Sequence, residues 1–210
     1  MTRIKICGIT NAKDAQAAVE AGADALGVIA VPESPRYVRP EDVHDVFGGL
    51  GPFTPVVVVA RTAADGSDYL APYPGPIQFY DGPRDPHRPA IRVFRIRDSR
   101  SLTEIVDYVE PVDALLLDTF HETALGGVGH AFDWSVAVAA KSLLRGRKLL
   151  LAGGLTPDNV AEAVAAVRPF AVDVSSGVEA EPGRKDYGKL RAFIQAVRQV
   201  DLAHGVSSIE

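Results

Sequence analysis

The sequence predicts a compact single-domain α/β protein, a (β/α)₈ barrel, and three observations carry that expectation. Strand-like apolar runs alternate with helix-like stretches from one end of the chain to the other. Eight such β-then-α units fit within 210 residues, which suits one barrel of this kind. Several of the runs are nearly continuous in Val, Ile and Leu, the pattern of strands buried on both faces of a parallel sheet. A doubly wound open sheet is the competing arrangement, and it needs a reversal of strand order that a sequence does not display.

The first strand is expected at 3–7 (RIKIC). Asn11 with Asp14 can cap the helix that follows, whose apolar positions include Ala15, Ala18 and Val19. The second strand is placed at 24–30. After it Pro40 sits at a first helical position, with Glu41 and Asp42 in the first turn. The third strand, 55–60, leads into 61–75, a poor helix ending in Pro72, Pro74 and Gly75. The fourth, 76–80, leads into 81–90, whose three prolines predict a poorly formed fourth helix. The remaining strands are expected at 91–96, 113–118, 148–152 and 170–175. Thr156-Pro157-Asp158 opens one late helix, and Asp186 opens the last, which runs through Leu190, Phe193, Ile194 and Val197. The barrel is taken to span 1–203 and a frayed tail 204–210.

Composition narrows the function classes. Hydrophobic residues make up 47% and charged residues 23%, too apolar for a disordered chain. A net charge of −5 and a pI of 5.6 argue against nucleic acid or an anionic membrane surface as partner. No apolar run approaches the roughly 18 residues of a membrane span. The N-terminus runs straight into a strand without a signal-peptide pattern, so a cytoplasmic location is expected. A single cysteine excludes a disulfide framework and a multi-cysteine metal site. A metal site is not expected, and monomer and homodimer both stay open.

In a barrel of this kind the active site is built where strands end. The first strand ends at Cys7, which is either a small buried hydrophobe or, if its pKa falls from about 8.5, a base. Arg36 lies on the proline-braced loop 32–37 after the second strand. It is either a solvated surface charge or a planar grip for a carboxylate. The sixth strand ends Leu115-Leu116-Leu117-Asp118, where burial can raise the acid and make it a proton donor, or the aspartate simply caps the next loop. Gly126-Gly127-Val128-Gly129 in loop 119–131 suits a lid. Ala152-Gly153-Gly154 and Asp173-Val174-Ser175-Ser176-Gly177 end the last two strands. Their bare backbone N–H groups suit a phosphate, although tight turns alone also explain the glycines. The first and sixth strands are three steps apart one way round the barrel and five the other. Their ends should therefore face each other nearly across the mouth.

Six segments together resemble one family: K-I-C-G-I-T at 5–10, S-P-R-Y-V at 34–38, L-L-L-D-T at 115–119, G-G-V-G-H-A-F-D-W at 126–134, L-A-G-G-L-T-P-D-N-V at 151–160 and V-D-V-S-S-G-V-E at 172–179. They resemble phosphoribosylanthranilate isomerase of tryptophan biosynthesis, over residues 3 to about 195. The resemblance implies a (β/α)₈ barrel without a cofactor. It also implies an Amadori rearrangement of N-(5′-phosphoribosyl)anthranilate to 1-(o-carboxyphenylamino)-1-deoxyribulose 5-phosphate. It makes Cys7 the general base and Asp118 the general acid, with Arg36 on the anthranilate carboxylate. Gly154, Ser176 and Gly177 would hold phosphate, Asp173 would lie close to the sugar, and Gly127 and Gly129 would belong to the substrate-binding lid. Cys7 is expected to be lowered in pKa, or to exchange its proton through its closeness to substrate, and Asp118 to be raised.

The chain departs from the family pattern at Tyr80, where a histidine is usual, and at Val128 and His130 of the lid. Arg61 ends the third strand where an asparagine is usual. These changes motivate an alternative, a catalytically weakened paralogue that binds a phosphorylated ligand as a sensor or partner protein. A sugar-phosphate isomerase acting on an aminoimidazole substrate is a third reading. Cys7 in place of an acid at the first strand end argues against it.

Overall fold

A computed structural model describes residues 1–66, 69, 75–98, 100–119, 133–144 and 146–205. Eight parallel strands close into a barrel in chain order: β1 (Arg3–Ile6), β2 (Ala25–Ile29), β3 (Val56–Thr62), β4 (Ile77–Asp81), β5 (Ala90–Ile96), β6 (Ala114–Thr119), β7 (Lys148–Leu151) and β8 (Ala171–Val174). Register runs from Arg3↔Ala171 to Ile6↔Val174 where β8 meets β1, so the sheet has no free edge and the open-sheet alternative falls. Each expected strand is present, its ends moved by no more than one or two residues.

The two-residue period of a strand sorts the side chains into two layers. Cys7, Val57, Val59, Ile91, Val93, Leu116 and Leu150 belong to the inner cluster. Ile4, Ile6, Leu26, Val58, Phe79, Leu115, Leu117 and Val172 belong to the outer one, together with Phe193, Ile194 and Val197 of the last helix. Around the barrel lie α1 (Ala12–Ala21), α2 (Val43–Phe47), α3 (Ser101–Asp107), α4 (Trp134–Leu143), α5 (Val160–Val167) and α6 (Tyr187–Ala203). Among the described residues none of the helices is long and apolar enough to cross a membrane.

Local chemistry explains the helix ends. Asn11 accepts the Asp14 N–H at 2.9 Å, and Gly22, at φ +104°, closes α1. Asp186 accepts from Gly188 and Lys189 at 2.8 and 3.0 Å to start α6. Pro40 opens a 3₁₀ turn, Pro40–Asp42, rather than α-helix directly, and α2 follows it. The helix expected from Thr156 begins later, at Val160. The Thr156 carbonyl accepts from Asn159 and Val160, so residues 156–159 form a turn that leads into α5. His204 and Gly205 form a turn on the end of α6, and 206–210 lie outside the described residues.

Residues 82–89 connect β4 to β5 without a helix, as Pro83, Pro86 and Pro89 predict. On the outer side of these strands the Arg92 guanidinium lies over the rings of Phe79, Phe94 and Tyr108 at 5.4, 5.7 and 5.6 Å, a cation–π arrangement. A clasp fastens the start of the chain to α6. Thr2 donates its N–H and hydroxyl to Asp201 at 2.8 and 2.9 Å, and Arg198 donates to the Thr2 carbonyl and to Asp24.

Candidate active site

The C-terminal strand ends surround a cavity of about 570 Å³. Cys7, Arg36, Asp118, Gly154, Asp173, Ser176 and Gly177 all line it, so seven of the nine residues singled out from sequence share one site. Gly127 and Gly129, with Val128 and His130, lie outside the described residues. Cys7 and Asp118 reach the cavity from the ends of β1 and β6 and are 6% and 7% exposed. The mouth thus brings together the two groups that strand counting sets nearly opposite each other.

Cys7 is held tightly. Its N–H donates to the Val174 carbonyl at 2.8 Å, and Gly27 of β2 faces it. A Cβ on Gly27 would lie 2.7 Å from Cys7 Sγ and 3.1 Å from Lys5 Nζ. Burial pushes the thiol above its ordinary value, Lys5 pulls it down, and Asp173 pushes it up again, leaving it raised. The expected lowering is therefore not found, because desolvation of a buried thiolate outweighs the cation beside it.

Lys5 precedes Cys7 by two residues and shares its inward face. Its Nζ donates to Asp173 Oδ1 at 2.9 Å and to Gln78 Oε1 at 3.0 Å. Burial pushes the ammonium down, and Asp173 and Cys7 more than reverse this, leaving it above 10.5.

Arg36 is not a free surface arginine. Its Nε and Nη2 donate to Glu179 Oε1 and Oε2 at 2.8 and 2.6 Å. The two-pronged grip foreseen for a ligand carboxylate is thus spent on the protein's own carboxylate. Glu179 opens a small hairpin, β9 (Glu179–Glu181) and β10 (Arg184–Lys185). It also accepts from Lys185 Nζ at 3.0 Å. The Lys185 ammonium is fully buried and donates to the Cys7 carbonyl at 2.7 Å. Burial pushes Lys185 below its usual value despite Glu179. Burial pushes Glu179 up, and hydrogen bonds from Arg36 and Lys185 reverse this and leave it below 4.5.

Tyr80 lines the cavity from β4, with the Arg95 guanidinium over its ring at 4.9 Å. Burial and the nearby Asp118 push the phenol well above 10, so it stays a neutral hydrogen-bonding group. At the rim, Arg61 meets Glu33 at 3.2 Å in an exposed pair.

The two glycine-bearing turns meet closely. Gly153 and Gly154 adopt φ of +85° and +67°, where glycine fits without strain. A side chain on Gly177 would run into the Leu155 carbonyl oxygen. Asn159 ties the first turn down, accepting from Thr156 N–H at 2.8 Å and donating to the Gly154 carbonyl at 2.9 Å.

Sequence reading missed Lys5, Glu179 and Lys185. Lys5 had a signal, its two-residue spacing from Cys7. Glu179 and Lys185 pair within one hairpin, but what brings them to the site is contact with Arg36 and Cys7, 143 and 178 residues away in the chain.

Comparison with known proteins agrees with this geometry. The family model for N-(5′-phosphoribosyl)anthranilate (PRA) isomerase matches residues 85–196. The N-(5′-phosphoribosyl)anthranilate isomerase of Citrifermentans bemidjiense is 46% identical over 212 residues, covering 96% of this chain and all of the relative. The crystal structure of phosphoribosyl anthranilate isomerase from Thermotoga maritima superposes with a TM-score of 0.83 at 37% identity, covering 95% of this chain and all of that one. A phosphoribosyl anthranilate isomerase in complex with reduced 1-(o-carboxyphenylamino)-1-deoxyribulose 5-phosphate gives 0.81 at 36% identity, with the same coverage.

Proposed function

This chain belongs to the N-(5′-phosphoribosyl)anthranilate isomerase family, and we propose that it carries out that isomerisation in tryptophan biosynthesis, with Cys7 as general base and Asp118 as general acid. The observation that carries the reading is that both groups, from β1 and β6, line one cavity together with the glycine turns after β7 and β8.

The substrate's phosphate would rest on the backbone N–H groups around Gly154, Ser176 and Gly177. The Arg36 N–H groups not given to Glu179 would meet the anthranilate carboxylate, with Asp173 beside the sugar. Asp118 donates a proton to the ribose ring oxygen. The C1′–O bond breaks as the anthranilate nitrogen forms a C=N bond to C1′, giving an open-chain iminium. That positive charge acidifies the C2′ hydrogen. Cys7, as thiolate, removes it, and the electron pair moves in to neutralise the iminium as an enolamine. C1′ then gains a proton as the C2′ hydroxyl gives one up, which yields the aminoketone. Cys7, now a thiol, loses its proton to solvent and Asp118, now a carboxylate, takes one back, so both side chains end as they began. Each positioned acid or base contributes roughly 10²–10⁴ in rate.

The test is turnover of freshly prepared N-(5′-phosphoribosyl)anthranilate, followed by the change in anthranilate fluorescence. Complementation of a tryptophan auxotroph lacking this isomerase would run beside it. Activity abolished by Cys7→Ala supports the reading. No turnover by the native chain, or full turnover by Cys7→Ala, overturns it.

A further inference from the structure

A buried thiol makes a poor base unless something stabilises its thiolate. The charged and titratable groups around Cys7 are Lys5 of its own strand, Asp173 of β8, Lys185 of β10, Arg36 after β2 and Tyr80 of β4. Two of the cations share an anion already, since Arg36 and Lys185 both bind Glu179. Asp173 and Tyr80 add no positive charge. Lys5 is different.

An ammonium has three N–H donors. One of Lys5 goes to Asp173 Oδ1 and one to Gln78 Oε1. Cys7 Sγ lies beside the same ammonium, across the space above Gly27, and the positive charge favours its thiolate. With the side chain 4% exposed, this orientation is locked. Gly27 completes the arrangement, because a methyl there would press on both the sulfur and the ammonium. The absence of a side chain at position 27 is what lets the two groups meet.

We propose that Lys5 is the positioning residue that makes Cys7 a base, its buried ammonium, fixed by Asp173 and Gln78 beside the sulfur, holding the thiolate. The inference rests on Cys7 acting as the base. The fraction of Cys7 that ionises gives its proton to solvent at the mouth, and Lys5 sets the size of that fraction by holding the thiolate against its ammonium. Asp173 fixes the charge of Lys5 at the expense of some of its effect on sulfur, since the carboxylate itself disfavours the thiolate.

Cys7 is the chain's one cysteine, so its ionisation can be read directly from the pH dependence of alkylation by iodoacetamide in the ligand-free protein. Lys5→Met should move the midpoint up by roughly 1–3 pH units, the effect of a neighbouring charge. Each unit lowers the thiolate fraction, and with it kcat at neutral pH, about tenfold, with KM little changed. Lys5→Met strands the buried Asp173 carboxylate, which costs stability, so Lys5→Met/Asp173→Asn is also compared with Asp173→Asn. The double variant should again titrate higher, and a purely structural role for Lys5 would not produce that ordering. A midpoint unmoved by loss of Lys5 in either comparison overturns the proposal. Normal turnover by Cys7→Ala would overturn the reading of Cys7 as base instead, whatever the alkylation shows.

Discussion

Arg36 and Glu179, from loops 143 residues apart, are joined by two parallel hydrogen bonds of 2.8 and 2.6 Å. The pair spans the mouth between the loop after β2 and the hairpin after β8. It fixes the plane of the guanidinium before any ligand arrives, so the N–H groups left over are aimed in advance.

Arg36→Ala should therefore raise KM about 10–100-fold, the loss of a charge-assisted hydrogen bond of roughly 1.5–3 kcal/mol. Arg36→Lys should recover little, since an ammonium cannot both align on Glu179 and present a second planar edge. Steady-state kinetics check this, and an unchanged KM in Arg36→Ala would remove Arg36 from the substrate site.

Glu179→Gln should destabilise the fold by about 3–5 kcal/mol, because it leaves the buried Lys185 ammonium without its counter-charge. The pH dependence has a definite sign. The folded carboxyl lies below 4.5, so its contribution is present above 4.5 and is lost as pH falls through its lowered folded value. Urea unfolding at neutral and acid pH should show the native chain losing more stability on acidification than Glu179→Gln. Equal losses would count against the network.

Cys7→Ser and Asp118→Asn should each lower kcat by roughly 10²–10⁴ with little change in thermal unfolding. Because the free thiol is raised, kcat/KM of the native chain should climb with pH from about 6 to 9, as the thiolate fraction grows. A flat profile over that range would contradict a thiol base.

Gly177→Ala should weaken competitive inhibition by inorganic phosphate at least about tenfold, since the added methyl must drive the loop after β8 off the Leu155 carbonyl. Gly49→Ala, which meets nothing within 4 Å, is the control. Retained phosphate inhibition in Gly177→Ala would move the phosphate elsewhere.

Much of this architecture was readable because it depends on near neighbours. The runs IKIC, VVVV and LLL mark buried strands by composition alone, and Asn11 and Asp186 cap helices with N–H groups two or three residues away. The site residues at strand ends were readable for a related reason. Once the barrel is inferred, Cys7, Asp118 and Asp173 fall at its mouth. The Arg36–Glu179–Lys185 network was not readable, because it depends on how two loops far apart in the chain fold over the same rim. The direction of the thiol's shift, raised where a lowering is expected, is not legible for a similar reason. Its sign turns on the balance between complete burial and one ammonium, which strand position does not give. The start of α5 moved from Thr156 to Val160 because the Asn159 side chain ties down the turn before it.

The clasp between Thr2 and Asp201 makes the barrel a ring whose nick happens to fall between β8 and β1. The exposed, helix-free link 82–89 is the natural place to move that nick. Joining the residues beyond Ala203 to Met1 through a short flexible tether, and opening the backbone near Arg84, would produce a permuted chain that begins at β5 and ends at β4. Every strand would keep both of its neighbours. Cys7 and Asp118 would exchange their order along the chain without changing their places at the mouth.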